Sequence, residues 1–132
     1  MKLNKNGAIL YQGPSLLDGK PIVVIVTGLV NASKNDKTGA MLQTWIIRSD
    51  ISPKAAVYSG QDASICGDCP HRLRLWGEPE YLTKAVRTCY VNLRTVITVK
   101  KCFDRGGYAK ADKATVHLIR SKHLRMGSYG DP

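Results

Sequence analysis

Four cysteines, Cys66, Cys69, Cys89 and Cys102, are the residues of this chain best suited to chemistry. Cys66 and Cys69 stand in "SICGDCPHR", residues 64 to 72. A Cys-x-x-Cys in a tight, glycine-bearing turn sets two thiolates on one side of the backbone. That half-site is shared by zinc knuckles and iron–sulfur loops. Gly67 relieves the turn and Pro70 stiffens its exit. Cys89 is the natural third ligand. It is expected at the start of a helix, where the positive helix end favours a thiolate. On that helix Cys102 falls about 140° away from Cys89, so one straight helix does not bring both to one ion. His71 is the better fourth ligand, giving Cys66, Cys69, His71 and Cys89 around Zn2+. Three cysteines with an open position would suit a [4Fe–4S] cluster instead. Cysteine is also often simply buried, which is the default for Cys102 and stays open for the pair. Thiol-redox chemistry uses Cys-x-x-Cys at a helix start after a βαβ pattern, which this chain does not show.

The surroundings are strongly basic. The 132 residues carry 20 Lys+Arg against 10 Asp+Glu, a net charge of +10. Residues 84–125 hold eleven of the basic side chains and two acids, a net of +9. Such density suits a polyanion, and nucleic acid is the common one; a solvated, solubilising face is the plainer reading. Arg94, Lys100, Lys101, Arg105 and Lys110 are the candidate phosphate contacts. Tyr108, beside Gly107 and Lys110, is the candidate base-stacking ring.

The elements that must position these residues read as follows. The chain is long enough for one domain with a real core. "PIVVIVTGL" is the strongest strand, and "MLQTWIIRSD" (41–50) a second, so 22–48 reads as a long-looped hairpin. "AILYQG" is a short edge strand. "SDISPKAAVYSGQDAS" reads as a short helix capped by Ser52, with Pro53 in its first turn and Gly60 at its end. Residues 86–104 place Val86, Cys89, Tyr90, Leu93, Val96, Ile97 and Phe103 on one helical face, predicting an amphipathic helix stopped by Gly106-Gly107. Residues 109–123 predict a second helix, and "LRMGSYGDP" a strand running into a turn. The fold class is α+β: a small β-hairpin or sheet, a cysteine-rich metal loop and two basic C-terminal helices.

At "DGKPIVVIVTG", "TGAMLQTWIIRSDISP", "ASICGDCPHR", "RTCYVN" and "LRMGSYGDP" the chain resembles a group of uncharacterised proteins carried by bacteriophages and prophages. The resemblance touches Cys66, Cys69, Pro70, Cys89, Tyr90, Gly130 and Asp131 and leaves Cys102 out. It implies a viral or mobile-element origin and no particular activity. Members of that group run on past Gly-Asp-Pro, so a single domain, shortened from a longer family fold, is expected.

No apolar run reaches the ~20 residues of a membrane span, and "MKLNKNGAILYQG" lacks the apolar core of a signal peptide. The expected place is the cytoplasm, the host's if the chain is phage-encoded. The leading expectation is a phage-type accessory protein that binds nucleic acid, or a host nucleoprotein, through its basic helices. A cluster-bearing enzyme or its degenerate remnant, with Asp131 facing a substrate, is the competitor. An inhibitor of a host defence or polymerase protein is a third.

Overall fold

The structure is a computed structural model, and it describes residues 3–30, 41–67, 69, 74–76, 84–86, 91 and 93–129. Its strands are β1 (Gly7–Pro14), β2 (Pro21–Thr27), β3 (Leu42–Arg48), β4 (Arg74–Trp76), β5 (Lys84–Val86), β6 (Ala109–Lys110) and β7 (Leu124–Tyr129). Its helices are α1 (Pro53–Ser59), α2 (Ala63–Cys66), α3 (Leu93–Asp104) and α4 (Lys113–Arg120). The fold class is α+β.

"PIVVIVT" is β-branched almost throughout, so it prefers extended backbone and becomes β2 at the middle of a five-stranded sheet ordered β6-β1-β2-β3-β7. The β2–β3 pair is the expected antiparallel hairpin, with Val23 opposite Ile47 and Ile25 opposite Trp45. β1 is longer than the short edge strand the sequence suggested. It pairs with β2 along its length and takes β6 on its other side. A bulge places Leu10 between the Ile9↔Ile25 and Tyr11↔Val24 pairs. β7 runs parallel to β3 and β6 parallel to β1. The sheet is therefore mixed and wider than a hairpin. β4 and β5 form a separate two-stranded antiparallel pair.

Successive residues of β2 face opposite sides of the sheet, and both sides are buried. Val23, Ile25, Trp45 and Ile47 share one face and one core cluster with Val96, Val99 and Cys102 of α3. The Trp45 indole N–H reaches Thr27 Oγ1 at 2.8 Å, so this buried ring leaves no donor unpaired. Ala8, Val26 and Leu42 face the other way and gather Leu118 and Ile119 of α4. The chain thus crosses one face through α3, turns the sheet edge at β6, and returns across the other face through α4.

α1 forms as the sequence implied: Ser52 Oγ accepts the Ala55 N–H at 3.1 Å, and Gly60 closes the helix at φ 77°. α3 begins at Leu93, not at 86, because Lys84–Val86 is strand, paired with Arg74–Trp76. The second expected helix, 109–123, is divided. Ala109–Lys110 extends the sheet, and the helix proper starts after Asp112, whose carboxylate accepts the Thr115 N–H at 2.8 Å.

Gly107 joins α3 to β6 under a tight restraint. A Cβ there would sit 2.6 Å from Cys102 Sγ and 2.9 Å from the Cys102 carbonyl oxygen. Gly107→Ala is expected to destabilise the fold by about 1–3 kcal/mol through overpacking, measured by urea unfolding. An unchanged midpoint would mean the α3–β6 junction is slack.

Candidate functional site

Arg48, the last residue of β3, is 4 % exposed, and a buried guanidinium needs its donors used. Its Nε and Nη2 donate to the two carboxylate oxygens of Asp50 at 2.9 and 2.7 Å, a two-point fork. Nη1 turns the other way, to Gln61 O and Ser64 Oγ, each at 3.3 Å. The Ser64 hydroxyl in turn donates to Asp18 Oδ2 at 2.6 Å. Ser15 Oγ donates to the Ser64 carbonyl and accepts the Leu17 N–H at 3.1 Å. α2 is thereby tied to the end of β3 and to the β1–β2 turn by hydrogen bonds as well as by Ile65, which is buried in the core.

That anchored helix carries the cysteine turn. Cys66 is its last residue, half-buried against the core. Gly67 follows at φ 56°, ψ −131°, the region of the first central residue of a type II′ turn, where glycine is unstrained. The Cys69 N–H donates to Cys66 O at 3.2 Å and closes the turn. Cys66, Cys69 and Cys102 are thiols, with no disulfide among them. One closed turn therefore carries two thiols, the soft donor type that a thiolate metal site uses. His71 and Cys89, the other two expected ligands, lie outside the described residues, as do Asp131 and the Pro70 exit of the turn. Among the described residues no three His, Cys, Asp or Glu side chains converge. Cys102 is buried in the core beside Tyr108, the ordinary fate expected for it.

The expected phosphate contacts divide. Arg94, Lys101 and Arg105 are exposed. At 100° per residue they lie within about 40° of one another, opposite the stripe of Val96, Val99, Lys100 and Cys102 that α3 buries. Lys110, in β6, is also exposed. Lys100 is not available as a phosphate contact. It is 5 % exposed, its Nζ sits 2.6 Å from Asp104 Oδ1, and it lies 5.7 Å from the Phe103 ring centre. Asp104, one helical turn on, takes the ammonium that the sequence assigned to a phosphate. Tyr108 is not a stacking platform either, because its ring is 8 % exposed and packs where a Gly7 side chain would stand. Burial pushes its phenol above the usual range, and the neighbouring Cys102 thiol adds to the shift.

Two features of the site escape a reading of composition. The Arg48–Ser64–Asp18 chain joins residues up to 46 positions apart, and nothing local announces it. The second is a row on α4, Lys113, His117 and Arg120, all exposed and spaced i, i+4, i+7. Its signal is visible once the helix is phased from its Asp112 cap, but a charge count over 84–125 merges it with α3.

No family model matches the chain, and neither a curated protein nor a solved structure matches it.

The anchoring network sets an acid limit. The Ser64 hydroxyl, then the Lys20 backbone N–H, hold the Asp18 carboxyl below its ordinary range, and the Arg48 fork does the same for Asp50. A carboxylate whose pKa is lowered by folding stabilises the fold above its unfolded value and loses that contribution as pH falls through the folded one. Stability is therefore expected to fall as pH drops below ~4. Ser64→Ala should flatten that dependence, read as urea midpoints across pH. An equally steep acid loss in Ser64→Ala would remove Asp18 from the account. Arg48→Met, which keeps the stem and removes the donors, should cost about 2 kcal/mol at neutral pH.

Proposed function

We propose that this is a phage-type accessory protein that binds nucleic acid, or a host nucleoprotein, through a basic helical surface, with a zinc-stabilised cysteine loop. The observation that carries the reading is the row of Arg94, Lys101 and Arg105. It points away from the buried side of α3, and neither Lys101 nor Arg105 forms a salt bridge with a described acid. Cations held in a line by a packed helix meet a phosphate backbone without reorganisation, and they position rather than read sequence. No helix among the described residues is long and apolar enough to cross a membrane. The host cytoplasm is the proposed site of action.

The metal part of the proposal rests on the Cys66–Cys69 turn, with His71 and Cys89 completing the donor set. A bound zinc ion would supply folding energy where the cysteines hold it. The competing [4Fe–4S] enzyme, or its remnant, uses the same cysteines and differs in the ion they hold.

Two measurements test the reading. Binding of a DNA duplex should weaken with salt with a log–log slope of about −3, one unit for each of three phosphates neutralised. Lys101→Ala/Arg105→Ala should weaken binding at low salt and lower that slope. Absence of binding at low salt would end the nucleic-acid reading, and retention of a host protein after nuclease treatment would favour the inhibitor. Elemental analysis of anaerobically purified protein should give one zinc per chain, lost in Cys69→Ser and kept in Cys102→Ser. A brown, iron-bearing preparation would replace zinc with the cluster, and a metal-free one would leave plain thiols.

A further inference from the structure

The +9 segment is not one surface. Gly7 and Ala8 are neighbours in β1, and their side-chain directions point to opposite faces of the sheet. A Cβ on Gly7 would meet Tyr108, beside Cys102 of α3. Ala8 packs with Val26 and Leu42 in the cluster that Leu118 and Ile119 of α4 join. α3 and α4 therefore cover opposite faces, and β6 carries the chain around the edge between them.

Each helix directs a row of basic side chains away from the sheet. Arg94 and Lys101 of α3, with Arg105 just past its end and bonded back to the Lys101 carbonyl, lie opposite the buried stripe. On α4 the packed side chains are Leu118 and Ile119, and Lys113, His117 and Arg120 lie opposite them. The α4 row lines an open groove of about 710 Å3 together with Ala111, Asp112 and Val116. From Lys113 to Arg120 the row is about 10 Å long by helix rise. Measured along a duplex axis, that length covers roughly three phosphates of one strand at about 3.4 Å of rise each. Tyr108 is buried, neither row contains Phe, Tyr or Trp, and the one ring, His117, stands between Lys113 and Arg120, so neither row offers the succession of stacking surfaces used on single strands. Both suit the backbone of a duplex.

We infer that α4 forms a second duplex-binding row, through Lys113, His117 and Arg120, on the face of the sheet opposite the α3 row, so that one molecule bridges two DNA segments. The inference rests on the nucleic-acid reading above and adds to it the number and placement of contact surfaces. A rigid duplex seated on one row is held off the other by the thickness of the sheet and its two helix layers. Among the described residues Asp112 is the one acid lining the α4 groove. Its carboxylate is held low, first by the Thr115 backbone N–H and then by its hydroxyl, and it opposes phosphate at that end of the row.

The test uses a DNA duplex fixed to beads and a second, labelled duplex in solution. At low salt the wild-type protein should capture the labelled duplex on the beads and release it as salt rises. Lys113→Glu/Arg120→Glu should abolish capture while still binding one duplex in solution. Lys101→Glu/Arg105→Glu should do the same. All four positions are exposed, and the corresponding Gln pairs serve if a charge reversal lowers the urea midpoint. Asp112→Asn keeps a capping side chain, removes the opposing charge and should strengthen capture. If wild type binds a duplex but captures no second one, or if the α4 variant still captures, the second row is wrong and the nucleic-acid reading stands. If wild type binds no duplex at low salt, both fall.

Discussion

A strand that is apolar on both sides must be covered on both sides, and in this protein that strand is β2. Ile22, Val23, Ile25 and Val26 are all buried, so consecutive side chains demand cover from opposite directions. One helix layer would leave Val26 and its partners in water. The answer is α3 over the Val23–Ile25 face and α4 over the Val26 end of the other. Two residues of β6 at the sheet edge are enough to carry the chain from one layer to the next. β6 lies parallel beside β1 and β7 parallel beside β3, so α4 runs between the two edge strands of the sheet.

Hydrophobic cover alone does not fix the segment that bears the cysteines. α2 has four residues, too short to hold itself. Its position depends on Arg48, whose buried guanidinium must spend its donors and does so on Asp50, Gln61 and Ser64. Ser64 passes the linkage on to Asp18, and Ser15 adds a bond to the Ser64 carbonyl. A polar network of this kind gives the Cys66–Cys69 turn a defined starting point on the sheet. A metal held there would therefore cross-link elements whose placement is already set, rather than nucleate them.

The elements most legible in sequence were those whose signals are local. The "PIVVIVT" and "LQTWIIR" strands, the Ser52-Pro53 start and Gly60 stop of α1, and the strand at Leu124–Tyr129 each carry their own propensity or cap. The start of α3 was not legible, because Lys84–Val86 is drawn into a pair with Arg74–Trp76, and apolar periodicity continues through it regardless. Lys100 was misplaced for a related reason. Its charge alone marks it as a phosphate contact, but the stripe α3 buries is Val96, Val99, Lys100 and Cys102, which takes in the lysine. Tyr108 was misplaced because its flanking glycine and lysine look like a loop, whereas its ring fills the space that Gly7 leaves. In the candidate site, the Cys-x-x-Cys turn was legible from Gly67 alone. The Arg48 anchor behind it was not, since its partners come from three separated stretches.

The two ways this chain uses lysine and arginine on α3 carry the functional argument further than the net charge does. Lys100 stands four residues before Asp104 and pairs with it, the arrangement that stabilises a helix. Lys101 stands four residues before Arg105, a like-charge spacing that costs about 0.2–0.5 kcal/mol on a helix. Both pairs occupy the same turns, so the local backbone does not explain the difference. What separates them is the side they face. Toward the protein, charge is neutralised. Away from it, Lys101 is followed by Arg105 at helical spacing, and in the proposed function the stability so lost is offset when an anion from outside is bound.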